Sequence, residues 1–461
     1  MTQDDLSKMS KEELIELALA EYAELQVLKA DYEALKFKLE KNKKPPTNSS
    51  NSSQPPSKDQ KPNRPKDKRK RHRHGPPVGH VKYDRKMVAK PDHIMEAKPL
   101  VCEHCQSDLS TENGELVDVN QITELPEAKA EVIEVRQFEV VCPCCGQKQT
   151  GEPPAGLEME RTFGSRLEAT VVYYRQQQHM SYERTKKALS DLHGVKLCEG
   201  SIDKITQRAG KEALQQAQLI QEAIRSSAVV HSDETGCRVD SQNWYQWVFS
   251  SAKAVLHVAR FDRSVAVIKE VMADHQAEVW VSDVYSAQIK APARERQLCM
   301  AHQLRNLQAV IDLYPQAFWP KAMQVLFRSA VHLHNERDQL PPGEFEGRVK
   351  RLEKLCDRLL ERSLEHPDEK RLRKRYLKHR QCLFVFLHRK DVPPTNNISE
   401  RYLRPAVIHR KVIGCFRSGW GADAYAAMAS VIHTAGLTGR SPFEAIQPLF
   451  GQPSLPLPAM V

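Results

Sequence analysis

Val229-Val230-His231-Ser232-Asp233-Glu234-Thr235-Gly236 is an apolar run that ends on an acidic pair and a glycine. It reads as a buried strand delivering a carboxylate to its tip. Two later stretches answer it. Val279-Trp280-Val281-Ser282-Asp283 is a second apolar run ending in aspartate. Asn396-Asn397-Ile398-Ser399-Glu400-Arg401 is a polar turn opening a basic helix, with a glutamate in its first turn. Two strand-end aspartates and a helix glutamate can hold a pair of Mg²⁺ ions for phosphodiester chemistry. Glu234 neighbours Asp233 on the strand and so points to the other face, which makes it a supporting residue rather than a ligand.

Between the two aspartates, residues 244–249 and 254–259 read as further strands, and Ser264 caps a helix running to about Asp274. Three strands, a helix and a fourth strand match a ribonuclease-H-like order, which sets the Asp233 and Asp283 strands side by side. Residues 299–390 are helical and strongly charged, an insertion that explains the long gap before Glu400. The span 391–461 carries the glutamate helix and C-terminal helices. Arg401, Arg404, Arg410, Lys411 and Arg417 bring positive charge to its start, as an enzyme gripping a DNA backbone would need. His302 and Arg305 share a helical face and are read as core support or phosphate contacts. Trp244 and Trp247 are read as packing residues.

Outward toward the N-terminus the chain changes character several times. The 461 residues suffice for several domains, and no run is apolar enough to cross a membrane. Residues 1–42 carry an a/d-like seam through Leu14, Ala18, Leu25, Leu28, Tyr32, Leu35 and Leu39, broken once at Glu21. It reads as a coiled coil, with a helix docked on its own protein as the alternative. Residues 43–90 are a polar, Pro-rich stretch that cannot bury a core. From Lys43 to Lys90 there are fifteen Lys/Arg against three Asp/Glu, while the whole chain is only +10. The run containing Lys68, Arg69, Lys70, Arg71 and Arg73 would bind phosphates without sequence preference.

In residues 91–157, Cys102-Glu103-His104-Cys105 and Cys142-Pro143-Cys144-Cys145 supply two Cys-x-x-Cys knuckles. Cys102, Cys105, Cys142 and Cys145 make a structural tetrahedral Zn²⁺ site, with Cys144 competing for the last position. Alternation over residues 130–135 and 137–141 predicts a β-ribbon between the knuckles. Eleven cysteines placed this unevenly fit a reducing cytosol rather than a disulfide scaffold. Residues 158–227 read as three helices, Arg166 to Gln178, a second begun at Ser181 and ending near His193-Gly194, and a long third introduced by Glu199-Gly200-Ser201, either a DNA-binding helix-turn-helix or an ordinary hairpin packed on the next domain. The fold class is therefore multidomain α+β: a coiled-coil helix, a small zinc domain, a helical domain, and an α/β catalytic core (228–298 and onward) with its insertion.

Three ordered motifs carry a family resemblance. His231-Ser232-Asp233-Glu234-Thr235-Gly236, Cys299-Met300-Ala301-His302-Gln303-Leu304-Arg305 and Asn396-Asn397-Ile398-Ser399-Glu400-Arg401-Tyr402-Leu403-Arg404-Pro405 resemble the insertion sequence 66 family of DDE transposases. The sequence departs from that family's Gly-Tyr after the second aspartate, with Val284-Tyr285 instead, and in its doubled Cys144-Cys145. The resemblance implies that Asp233, Asp283 and Glu400 are the triad, binding two Mg²⁺ with Mn²⁺ able to substitute. It further implies cleavage at terminal inverted repeats, strand transfer into target DNA, accessory proteins of the same element, and a bacterial cytosolic, nucleoid-associated location. Homo-oligomerisation would run through the coiled coil. The competing classes are a non-catalytic, transposase-derived DNA-binding regulator and a structure-selective nuclease.

Overall fold

The computed structural model describes residues 86–153, 159 and 161–451, with Ser10, Lys29, Asn48, Asn51, His80 and Val81 as single residues. The expected coiled coil and the basic run Lys68, Arg69, Lys70, Arg71 and Arg73 lie outside the described residues, single residues apart.

The centre is a five-stranded mixed sheet. Strands β3 (Val229–Val239), β4 (Gln242–Ser250), β5 (Val255–Arg260), β6 (Ala277–Ser282) and β7 (Ala293–Leu298) lie in the order β5-β4-β3-β6-β7. β3, β4 and β5 pair antiparallel in sequence, and β6 returns parallel to β3. The first and fourth strands are thus neighbours, as the sequence predicts. β7 is a strand that the sequence reading missed. Its Ala-Arg-Glu-Arg-Gln-Leu has no apolar run, because it sits at the edge of the sheet, parallel to β6.

Alternate strand residues feed opposite layers. On one face Val230, Phe249, Leu256 and Trp280 pack with the helices α1 (Ser165–Val172), α2 (Tyr182–His193) and α3 (Glu199–Arg225) in a single apolar cluster. The helices of residues 158–227 therefore share a core with the sheet. Ser181 caps α2, whose side chain accepts from Arg184 N–H, and left-handed Gly194 ends it, as the sequence suggests. The first helix spans the expected length, its last part, Tyr173–Gln177, being wound as a π-helix. On the other face Val279, Val281 and Leu298 pack with the insertion: α6 (Met300–Leu313), α7 (Phe318–Asn335), α8 (Pro342–Glu361) and α9 (Pro367–Lys378). The short α4 (Val265–Met272), capped by Ser264, crosses from β5 to β6. An even shorter α5 (Ser286–Ile289) follows β6, and α10 (Val385–His388) closes the insertion.

Two C-terminal helices complete the core. α11 (Asn397–Ile413) packs on β3 and β4, with Leu403 against Val248 and Val255. α12 (Gly419–Leu437) covers the edge of β5. Ser430 Oγ accepts from His257 N–H at 2.7 Å and Thr434 Oγ1 from Val255 N–H at 3.0 Å. Thr434 also donates back to the Val255 carbonyl at 3.1 Å. Residues four apart on a helix advance about 6 Å and residues two apart on a strand about 6.6 Å, so two hydroxyls can stand in for a neighbouring strand. Where α12 crosses α3, a Cβ on Gly210 would lie 2.6 Å from Ala424 Cβ, so only glycine allows that approach. α13 (Pro442–Ile446) begins behind a Ser441/Glu444 capping box, and a 3-10 turn, Gln447–Phe450, follows it.

The cysteine region corrects one expectation. Its ribbon does not lie between the knuckles but flanks the second, with β1 (Glu139–Val141) paired to β2 (Lys148–Thr150). The knuckle itself is the reversing turn, so the strands on either side of it become neighbours. Residues 130–135 are not in a strand.

Candidate active site

Asp233 is not at the tip of its strand. β3 runs on to Val239, opposite β4, but its pairing with β6 stops at His231 and Val281. Asp233 and Asp283 therefore flank the point where two parallel strands part, a cleft created by the end of a ladder. Asp283 follows β6 directly, and its Oδ1 accepts from Tyr285 N–H at 2.8 Å to start α5. Glu400 enters from α11, whose first turn it occupies.

Asn396 fixes that entry. It is fully buried, its Nδ2 donates to the Ser232 carbonyl at 2.8 Å, and its N–H donates to Cys299 Sγ at 3.1 Å. One residue thus ties the glutamate helix to the strand beside Asp233 and to the start of α6. Ser399 adds a buried hydroxyl contact to Ser250 on β4 at 3.2 Å. Burial, then the charges of Glu234 and Asp283 and, more weakly, Glu400, push the Asp233 acid well above the ordinary carboxylate range. Those three acids and Asp233 thus share one electrostatic neighbourhood. Asp233 stays ionised there only beside a cation.

Glu234 already has its own. Its side chain is 2% exposed, Arg263 donates to Oε1 at 3.1 and 2.8 Å, and Gln288 donates to Oε2 at 2.8 Å. Arg263 in turn lies over the Tyr285 ring at 4.2 Å, and Gln288 accepts from Trp280 Nε1 at 3.0 Å. Glu234 is therefore a brace between the strands, with its oxygens occupied.

His302 and Arg305, on the first turns of α6, turn toward the site. Arg305 Nη2 donates to Glu400 Oε1 at 3.1 Å, and His302 Nδ1 lies 3.6 Å from the same oxygen. Sequence reading had no means to link them to Glu400, 95 positions away from Arg305; the cue was only their spacing on one helical face. Cys299 Sγ, His302 and Glu400 offer ligand atoms within 4.8 Å of one another, the one such group of three or more among the described residues; the carboxylates of Asp233, Asp283 and Glu400 do not all come that close together. Burial raises the Cys299 thiol and lowers the His302 imidazole, so both are neutral.

Of the basic residues, Arg401, Arg404, Lys411 and Arg417 are exposed. Arg410 is committed to the fold, donating through Nη1 to the Gly236 carbonyl and, at 3.5 Å, to Thr235 Oγ1. Trp247 is fully buried and Trp244 packs beside Val239, Ala259 and Ala422.

The two cysteine knuckles share one backbone design. In each, the N–H of the first cysteine reaches the carbonyl five residues on, Ser107 or Gln147, at 2.9 and 2.8 Å. In each, the residue after the second cysteine, Gln106 or Gly146, has φ near +65° and donates back to the first cysteine's carbonyl. The two turns thus have the same shape. The four sulfurs are not gathered at one point: they do not all lie within 4.8 Å of one another. Nothing apolar draws the knuckles together: Leu116, Val117, Ile122, Leu125 and Val132 between them are exposed.

The family model described as Transposase IS66 family matches residues 160–424, more than half of the chain and all three carboxylates. The chain belongs to the IS66 family of transposases. No curated protein matches it. The transposase is thus, by family, a DNA-handling enzyme, and membership implies DNA binding and use of a divalent metal. The matched span begins just before α1 and so includes the helical layer as well as the sheet, while the cysteine knuckles lie outside it. No helix among the described residues is long and apolar enough to cross a membrane.

Proposed function

We infer that this transposase cleaves DNA at the terminal inverted repeats of its own element and joins the freed 3′ ends to target DNA. Asp233, Asp283 and Glu400 are its catalytic carboxylates, on a ribonuclease-H-like core. The observation that carries this reading is the parting of β3 and β6 between Asp233 and Asp283, with the helix that bears Glu400 tied to the strand beside Asp233 through Asn396. The all-oxygen donor set of the three carboxylates fits Mg²⁺, or Mn²⁺ in its place. Bound there, two such ions would activate water and stabilise the leaving oxygen at one phosphorus.

The chain's own residues do the rest. Asn396 and Ser399 fix the helix that bears Glu400, while Glu234, braced by Arg263 and Gln288, sets the spacing of the strands. Arg305 holds Glu400 by one oxygen. Arg401, Arg404 and Lys411 are exposed to meet the phosphate backbone, and Lys68, Arg69, Lys70, Arg71 and Arg73 add a sequence-independent grip. Arg410 is better assigned to holding α11 on β3. Cys102, Cys105, Cys142 and Cys145 bind a structural Zn²⁺, supported by the matched shapes of the two knuckles. The N-terminal seam makes a homo-oligomer, and accessory proteins of the element complete the assembly.

The test incubates the protein with DNA carrying the ends of its element and Mg²⁺, beside Asp233→Asn and Glu400→Gln. Wild type is expected to give a nick at the repeat and a joined product, and each variant to lose at least about 10²-fold in rate while still binding. Binding without any specific nick or joined product in the wild type would leave a DNA-binding regulator; cutting without end preference would leave a structure-selective nuclease.

A further inference from the structure

The insertion between Asp283 and Glu400 carries a repeated charge pattern that the cleavage chemistry does not use. On α8, Lys350, Arg351, Lys354 and Arg358 occupy positions i, i+1, i+4 and i+8. On α9, Lys370, Arg371, Lys374 and Lys378 occupy the same four positions, each twenty residues further on. All eight are exposed. At 100° per residue, each set falls within about 100° of arc, opposite the buried face. That buried face is Val349, Cys356 and Leu360 on α8, and Leu372 and Tyr376 on α9, all within one apolar cluster. Both stripes therefore point away from the same core.

The acids of these helices offset the stripes only in part: Glu361, exposed and eleven residues after Lys350, falls within the α8 arc. Glu344 pairs with Arg348, Glu353 with His388, Asp357 with Arg380 and Asp368 with Arg371, mostly off the stripes. Glu369 is buried and closes a capping box at His366. An exposed lysine stripe on one helix is commonly just a solvated face. The same pattern on two consecutive helices, on the side turned from their shared core, is a surface with a fixed charge spacing. Each stripe sets its charges along about 12 Å of helix axis, against a duplex that carries one phosphate per ~1.7 Å.

We propose that the outer face of the α8–α9 pair is a second DNA-binding surface, which grips the phosphate backbone of duplex DNA without reading its sequence. It rests on the DNA-handling reading above and adds a place on the fold where the duplex lies. The stripes offer Lys and Arg with a single acid, Glu361, and no exposed aromatic interleaved among them, so a stacked single strand has no platform there.

The experiment measures binding of the full chain to a labelled duplex of arbitrary sequence, about 30 base pairs, over a range of salt. Compared with it are the α8 triple variant Lys350→Gln/Lys354→Gln/Arg358→Gln, the α9 triple variant Lys370→Gln/Lys374→Gln/Lys378→Gln, and their combination. A charge-keeping control carries Lys350→Arg, Lys354→Arg, Lys370→Arg, Lys374→Arg and Lys378→Arg. The combined variant is expected to bind at least about tenfold more weakly at physiological salt, with a log–log salt slope shallower by about 5, and each triple variant to lose about half of that. The control should keep the wild-type slope. Unchanged slopes in both triple variants, with melting temperatures like wild type, would overturn the proposal. So would loss of binding to a single-stranded RNA of the same length with duplex binding intact. Were one triple variant to misfold, the other still decides. A wild type that bound no duplex at all would instead sink the DNA-handling reading itself.

Discussion

Asp233 sits where its ionised form is least comfortable, buried and beside three other carboxylates. The sign of the consequence is fixed. Its folded-state pKa is raised above the unfolded value, so the metal-free fold binds the extra proton and loses stability as pH rises through the unfolded carboxylate range toward the raised value. Asp233→Asn is therefore expected to raise the melting temperature of the metal-free protein by on the order of a few degrees, while removing the shift that added Mg²⁺ produces in wild type. Scanning calorimetry with and without Mg²⁺ checks both; a variant that melts lower than wild type in chelator would contradict this account. Arg305 should behave differently. Its bond to Glu400 Oε1 positions a carboxylate without neutralising the whole site. Arg305→Ala is expected to slow cleavage roughly 10–100-fold at saturating DNA, with Arg305→Lys recovering part of it. Equal rates for Arg305→Ala and wild type would make the contact incidental.

At the scale of elements, the most consequential join is α12 along β5. An edge strand presents unpaired N–H and C=O groups, and here two hydroxyls four residues apart satisfy them. Ser430→Ala and Thr434→Val each leave a buried N–H without a partner and should lower stability by about 1–3 kcal/mol, read from urea unfolding midpoints. Much of this layer was legible in the sequence: Ser181, Gly194 and Ser264 mark helix ends with residues whose local chemistry suits those ends. β7 was not, because a polar edge strand carries no apolar signature. Nor was the position of the small ribbon, since alternation over residues 130–135 says nothing about which partner is near. Only the turn made by Cys142 to Gly146 decides that.

For the molecule as a whole, the core holds an unusual number of neutral histidines. Burial pushes His231 down to about 4, His409 to about 3 and His433 to about 4. His433 also shares a 2.8 Å contact with His257, which burial lowers as well. These groups sit below the unfolded value of about 6.5, so the unfolded chain takes up protons first as pH falls. The stability they confer is complete above about pH 6.5 and is lost as pH falls toward 4. Each contributes on the order of 1.4 kcal/mol per pH unit across that window. Denaturant midpoints measured from pH 7.5 to pH 4.5 should fall steeply below pH 6.5, and a flat profile would show that these histidines titrate alike in both states. Asp233 opposes the trend, so the metal-free protein should be most stable near neutral pH.

The sequence by itself determined the elements that carry the three carboxylates, their order, and the family to which they belong. These follow from apolar runs, capping residues and motif spacing, which are local or nearly so. The tertiary structure alone decided what surrounds each carboxylate. It showed that Asp233 lies mid-strand where β3 and β6 part, that Glu234 is claimed by Arg263 and Gln288, and that Arg305 and His302 reach Glu400. It also showed that Arg410 is turned inward to the Gly236 carbonyl. Each of these is a contact between residues far apart in the chain. No local preference encodes such a contact; it exists only once the sheet order and the packing of α6 and α11 bring those side chains together.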